Sequence, residues 1–456
     1  MVIERQKVQE QDKELRRHNF EPVENNLTEE QVKLEASRCL HCKNPKCVQG
    51  CPVNIQIPEF IQAIKDNDLK KAGEIIRQTS MLPSVCGRVC PQERQCEGNC
   101  ILGIKGLPVS IGALERYVGD NTKAEQPEIK ETSKKVAVIG SGCAGITAAA
   151  DLRKAGHKVV VFEALHKLGG VLRYGIPPFR LPRVVLDREI DNLKKMGVEF
   201  HTNVVVGKSI TLKQLKEDGF DAIFICSGAG LPKMLGVPGE NLNEVFSANE
   251  FLTRVNLMQA YKSETATPLK IGNRVAVFGG GNVAMDAART AVRVGAKEVY
   301  IIYRRTEKEL PARLEEIRHA KEEGITFKFL LSPKEIKGED GYAKSVDLDV
   351  MKLGEPDASG RQRPEKTGEV INMEFDTVIV ALGTGPNPII QKSAQHEGLE
   401  IITDTKGYIT VDEDKRSTSI PTVYAGGDVA PVGTSNAINA MGAGKKAAKA
   451  INELLK

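Results

Sequence analysis

The chain has 456 residues, 27% of them charged and 41% hydrophobic, which is ordinary globular composition and excludes a disordered, collagen-like or coiled-coil protein. Lys and Arg number 64 against 60 Asp and Glu, and a net charge of +4 is too small to argue for nucleic acid. No apolar run approaches the ~18 residues of a membrane span, and the charged start MVIERQKVQEQDKELRRHNF lacks a signal peptide's apolar core. A soluble protein that stays in the cytoplasm is expected.

The elements follow in chain order. Residues 1–130 form a helical head: apolar residues recur at helical spacing from Ile57 to about Ser80, and no strand alternation precedes residue 134. Eight of the ten cysteines lie in this head, between Cys39 and Cys100. A cytosolic chain of this size does not suit a disulfide framework, so metal or cluster ligation is the better reading. The first group, Cys39, Cys42, Cys47 and Cys51, ends in Cys-Pro; the second is Cys86, Cys90, Cys96 and Cys100, with Pro91 after Cys90. Two sets of four suit two [4Fe–4S] clusters. Zinc is the rival, but no zinc site requires Cys-Pro endings. His41 reads as a solvated neighbour.

A polar linker to Lys135 leads into an α/β body. KKVAVIG, SGCAG and ITAAADLRKAG make a strand, a glycine turn and a helix, and the succession returns at NRVAVFG, GGNVA and MDAARTAVRVGA. In the first turn, Gly140, Gly142 and Gly145 allow a tight bend, close approach of a pyrophosphate and helix-on-strand packing, while the helix N-terminus offers free N–H donors. Glu163 then ends the next strand, where a carboxylate accepts hydrogen bonds from a ribose. The second turn is Gly279, Gly280, Gly281, Asn282, Val283 and Ala284, and its following strand ends in Tyr303, Arg304 and Arg305 instead of an acid. A carboxylate there would repel a 2′-phosphate, whereas two guanidiniums would attract it, so this site predicts NADP(H). The first site is then the natural place for FAD. Gly426, Gly427 and Asp428 near the C-terminus support it, since an Asp before a small-residue helix can hold a ribityl chain. Cys143 and Cys226 form no C-x-x-C pair and read as packing residues.

The expected fold is α/β: an iron–sulfur head, then two Rossmann-like domains with the second inserted in the first. The boundaries read from sequence are 131–255 and 372–456 for the FAD-binding domain and 256–371 for the NADP(H)-binding domain. Such a chain converts hydride to single-electron flow and needs no general acid or base.

With these motifs in place, the sequence resembles the small subunit of NADPH-dependent glutamate synthase. It is similar as well to the large subunit of the electron-bifurcating NADH-dependent reduced ferredoxin:NADP oxidoreductase and to the N-terminal half of dihydropyrimidine dehydrogenase. The stretches that carry the resemblance are RCLHCKNPKCVQGCPVNIQIPEFI, LPSVCGRVCPQERQCEGNC, IGALERY, LGGVLRYGIPPFRLP, GGGNVAMDAARTAVR, YRRTEKELPAR and YAGGDVA. The resemblance implies FAD on the first unit, with Gly170 among its contacts, NADP(H) on the second and two clusters that interleave. Cys39, Cys42, Cys47 and Cys100 would hold one, and Cys51, Cys90, Cys96 and Glu115 the other; Cys86, the eighth thiol, competes with Glu115. Cys143 stands where the family usually has Pro. The resemblance also implies a partner redox subunit that receives the electrons: the glutamate synthase large subunit, or alternatively a ferredoxin- and NAD-linked flavin subunit of a bifurcating complex.

Overall fold

The computed structural model describes residues 3–356 and 360–456. Among them the head carries helices at Glu29–Ser37, Ile57–Lys65, Leu69–Arg77, Pro83–Val89 and Ile111–Asn121. The first starts on a capping box, Thr28 accepting from Gln31 N while the Gln31 side chain returns to the Thr28 N–H. Cys86 lies inside Pro83–Val89 and Cys47 inside the short helix Lys46–Gln49, while the other cysteines of the head sit at helix ends and in the loops between them.

Two parallel sheets make up the body. The first has the order Val423–Ala425, Ala222–Ile225, Lys135–Ile139, Lys158–Phe162, Glu199–His201. The second runs Val245–Ser247, Thr377–Val380, Arg274–Phe278, Glu298–Tyr303, Thr326–Phe329. The central strands are buried on both faces and read as unbroken apolar runs for that reason. The second sheet recruits Val245–Ser247 and Thr377–Val380, both outside the 256–371 segment read from sequence. The insertion therefore begins and ends at a two-stranded antiparallel crossover, where Leu231 and Pro232 pair with Gly385 and Thr384. Parallel strands carry no mark of which sheet they join, so the boundary was not visible in residue types. A three-stranded antiparallel sheet, Leu331–Glu339, Tyr342–Pro356 and Gln362–Glu374, adds to the inserted domain.

One apolar core runs without a break through the head, the first nucleotide fold and the C-terminal helix Ala437–Leu455: Phe60, Ile76 and Leu82 belong to it together with Val136, Ala148 and Met441. The inserted domain has its own core. It is tied to the rest by charge. The N-terminal segment lies across it, and the almost fully buried Arg16 reaches Glu10, Glu322 and Glu323 at 3.1, 2.6 and 3.0 Å. From the first nucleotide fold, Arg180 pairs with Asp286 at 2.7 Å and Glu316 at 2.8 Å.

Arg16→Ala leaves these carboxylates short of a partner in a buried place and is expected to destabilise the chain by about 2–4 kcal/mol, read as a lower melting temperature. The same contacts predict acid sensitivity. Burial alone would raise Glu322 and Glu323, but Arg16 and Arg318 around the first, and Arg289 and Arg293 around the second, hold both below their ordinary value of 4.5. A lowered carboxylate stabilises the folded state fully above that ordinary value, and its contribution is lost as pH falls below it toward the lowered pKa. Thermal stability is therefore expected to fall below about pH 4.5, less steeply in Arg16→Ala.

Candidate redox and nucleotide sites

The head brings its thiols into two sets. Cys39, Cys42, Cys47 and Cys100 are half-buried. Burial raises the pKa of Cys39, and the nearby thiols of Cys42 and Cys100 raise it further. Cys47 is pushed up to about 11, first by burial and then by Cys100 and Cys39. The second set is deeper: Cys51, Cys86, Cys90 and Cys96 are buried. Burial lifts Cys51 to about 11, with Glu115 and Cys86 adding to it. Contact with Cys86 comes first for Cys90, then burial, Glu115 and Cys96. For Cys96 it is burial, then Glu97, Glu115 and Cys51. By depth, Cys51 goes with the buried thiols, which include Cys86, and Cys100 with the half-buried ones.

Glu115 lies close enough to Cys51, Cys90 and Cys96 to act on all three. It comes from helix Ile111–Asn121, is buried, and its Oε1 has no hydrogen-bond partner. Desolvation alone raises its pKa to about 8. A buried carboxyl without a partner costs free energy unless something cationic meets it. The carboxyl in turn raises Cys51, Cys90 and Cys96, and buried thiols beside a carboxyl without a partner make a donor set that fits an iron–sulfur cluster, whose irons stabilise the deprotonated forms. His41 stands apart, exposed at the rim with Nε2 3.5 Å from Glu59.

At the first glycine turn the backbone explains the residue types. Gly140 has φ +116°, and a Cβ on Gly145 would come within 2.0 Å of the Gly140 carbonyl, so helix and strand can meet only through glycine. Gly142 faces open space. Gly170, at φ +53°, packs on it from the far side, where a Cβ would lie 3.0 Å from Gly142 Cα. Glu163 accepts from Ser141 N at 3.0 Å and Ser141 Oγ at 2.5 Å, and its other oxygen accepts from Leu165 N at 2.9 Å. The carboxylate thus shapes the turn. Asp428 lies in a groove with Gly427, Ser435 and Asn439 before the C-terminal helix. Burial raises its pKa and a hydrogen bond with Ser435 partly offsets this. Cys143 and Cys226 are buried, the latter 3.4 Å from the Gly140 carbonyl.

The second turn is built alike. Gly279 has φ +149° with the Ala381 carbonyl against it, Gly280 is enclosed by Leu310 and Tyr303, and Gly281 stays nearly open. Asn282 Oδ1 accepts from Arg313 N at 2.9 Å, and Val283 is exposed. The two arginines part company. Arg304 is exposed at the strand end, whereas Arg305 is buried and its Nε donates to the Gln362 carbonyl at 2.7 Å. Sequence missed the loop that joins the sites: Arg313 donates to the carbonyl of Arg88 at 3.1 Å and to Gln92 Oε1 at 2.9 Å, tying the second glycine turn to the loop that carries Cys90. An Arg in a segment of mixed charge gave no signal for this.

Two family models cover the chain: residues 16–127 match the dihydropyrimidine dehydrogenase 4Fe-4S domain, and residues 134–444 match pyridine nucleotide-disulphide oxidoreductase. The glutamate synthase [NADPH] small chain of Escherichia coli is 37% identical over 96% of this chain and 94% of its own length. That of Halomonas elongata is 38% identical over 92% and 90%. The chain belongs to the glutamate synthase small-chain family. Among solved structures, FprA of Mycobacterium tuberculosis in complex with NADPH is 23% identical with TM-score 0.57, over 71% of this chain and 84% of that one, and shows the shared fold. As a member of the glutamate synthase small-chain family the protein is an NADPH-dependent oxidoreductase with an iron–sulfur head, and its fold is the helical head with two dinucleotide-binding units expected from sequence. No described helix is long and apolar enough to cross a membrane.

Proposed function

We propose that this chain takes hydride from NADPH and delivers single electrons to a partner subunit, through FAD on the first nucleotide fold and two [4Fe–4S] clusters in the head. The observation that carries the proposal is the division of the thiols into a half-buried set at the surface and a buried set with Glu115, nearer the first nucleotide fold. FAD and the clusters would supply the change from two-electron to one-electron chemistry.

The chain's residues do the positioning. Gly140, Gly142, Gly145 and Gly170 admit a pyrophosphate, Glu163 accepts from the ribose, and Gly427 and Asp428 hold the chain leading to the flavin ring. Gly279, Gly280, Gly281, Asn282 and Val283 leave room for the second pyrophosphate, with Arg304 beside the 2′-phosphate. Cys39, Cys42, Cys47 and Cys100 hold the outer cluster; Cys51, Cys90, Cys96 and Glu115 hold the inner one. The partner in this proposal is a glutamate synthase large subunit, because the relatives that match nearly end to end carry that name. Purifying the native complex and identifying its second subunit tests this. A large subunit with glutaminase chemistry supports it; a ferredoxin- and NAD-linked flavin subunit would replace it with the bifurcating reading.

A further inference from the structure

Cys86 is the head thiol that the ligand sets proposed above leave out. It is fully buried on helix Pro83–Val89, one turn before Cys90, so the two side chains share a face and interact directly. On its other side its Sγ donates to Met441 Sδ at 3.5 Å, with Ser80 Oγ at 3.9 Å. Met441 is itself fully buried on the C-terminal helix Ala437–Leu455. That helix touches both redox sites. A Cβ on Gly442 would lie 3.3 Å from the carbonyl of Pro52, the residue after Cys51, and one on Gly444 would lie 2.4 Å from the carbonyl of Ala144 in the first nucleotide helix. Cys86 also acts electrostatically on both Cys51 and Cys143. The pair of sulfurs therefore stands in the wall between the inner donor set and the first nucleotide fold.

We propose that Cys86 is a positioning residue, not a ligand: its S–H donates toward the sulfur of Cys90 and, with Met441 as a polarizable backing, sets the potential of the inner cluster relative to the flavin. The inference rests on the cofactor reading above and goes beyond it by giving the eighth thiol a task. A thiolate is a stronger acceptor than a thioether, so with Cys90 deprotonated the S–H has a better partner than Met441. Hydrogen bonds to cluster sulfurs and exclusion of water are main determinants of iron–sulfur potentials. A donor favours the more negative, reduced form, and its loss lowers the potential. Met441 keeps the wall dry and tolerates either orientation of the thiol, as a flexible thioether does.

The test uses the full chain, purified anaerobically, with Cys86→Ala, Cys86→Ser and Met441→Leu compared by iron content and by EPR-monitored redox titration. All three are expected to keep the wild-type iron content. Cys86→Ala is expected to lower the potential of one cluster, shifting its electron equilibrium with the flavin about tenfold toward the flavin, ~59 mV for one electron, with the other cluster unmoved. Cys86→Ser keeps a donor and should recover most of the shift; Met441→Leu should move it less than about threefold. Iron lost in either Cys86 variant would make Cys86 a ligand and overturn the proposal. Full iron with an unmoved potential in Cys86→Ala would reduce it to packing. Wild-type protein without iron would instead defeat the cofactor reading itself.

Discussion

Glu115→Ala is expected to halve the iron of the chain, from about eight atoms to about four, with the outer cluster intact. The size of the effect follows from what the side chain does without metal. Its Oε1 has no partner in a buried site, and burial pushes its pKa to about 8. A group that is costly to bury contributes nothing to the folded chain by itself, so its removal should leave the metal-free protein as stable or slightly more so. Iron loss without a lower melting temperature is therefore the signature of a ligand. Iron analysis with EPR of the reduced protein checks it. An unchanged EPR spectrum and iron content in Glu115→Ala, together with loss of a cluster in Cys86→Ser, would reassign the ligand to Cys86.

The second large effect is on nucleotide choice. Arg304→Ala is expected to lower the ratio of NADPH to NADH efficiency, kcat/KM, by about ten- to a hundredfold, since a charge-assisted hydrogen bond to phosphate is worth ~1.5–3 kcal/mol. Arg304 is exposed at the strand end, and its removal should cost little stability. Arg305 is different. Its Nε holds the Gln362 carbonyl, so Arg305→Ala should disturb the strand Gln362–Glu374 and weaken both nucleotides together. An unchanged ratio in Arg304→Ala would mean that the 2′-phosphate is read elsewhere.

Much of this was legible in residue types because the chemistry restricts them. Gly140 and Gly145 have no substitute where φ is positive or a carbonyl lies 2.0 Å from a would-be Cβ, so the turns declared themselves. Cysteine spacing suggested two donor sets. It left open which thiols share a site, because that depends on how the helices Ile57–Lys65 and Ile111–Asn121 pack; the exchange of Cys51 and Cys100 is implied by the family resemblance alone. The insertion boundary was missed for a related reason, since Thr377–Val380 would look the same in either parallel sheet. The antiparallel sheet had a readable signal in SVDLDVM, where Val346, Leu348 and Val350 alternate with polar residues, and two of the three are fully buried. The N-terminal strap had none: Arg16 is buried by carboxylates about 300 residues away in sequence, a contact no local pattern encodes.

The most direct measurement is the cofactor content of the anaerobically purified chain, with FAD, iron, acid-labile sulfide and zinc determined on one sample and its flavin band followed as NADPH is added. Expected are one FAD, about eight irons and about eight sulfides per chain, with the band bleached by NADPH. Stoichiometric zinc in place of iron, or a colourless protein indifferent to NADPH, would contradict it.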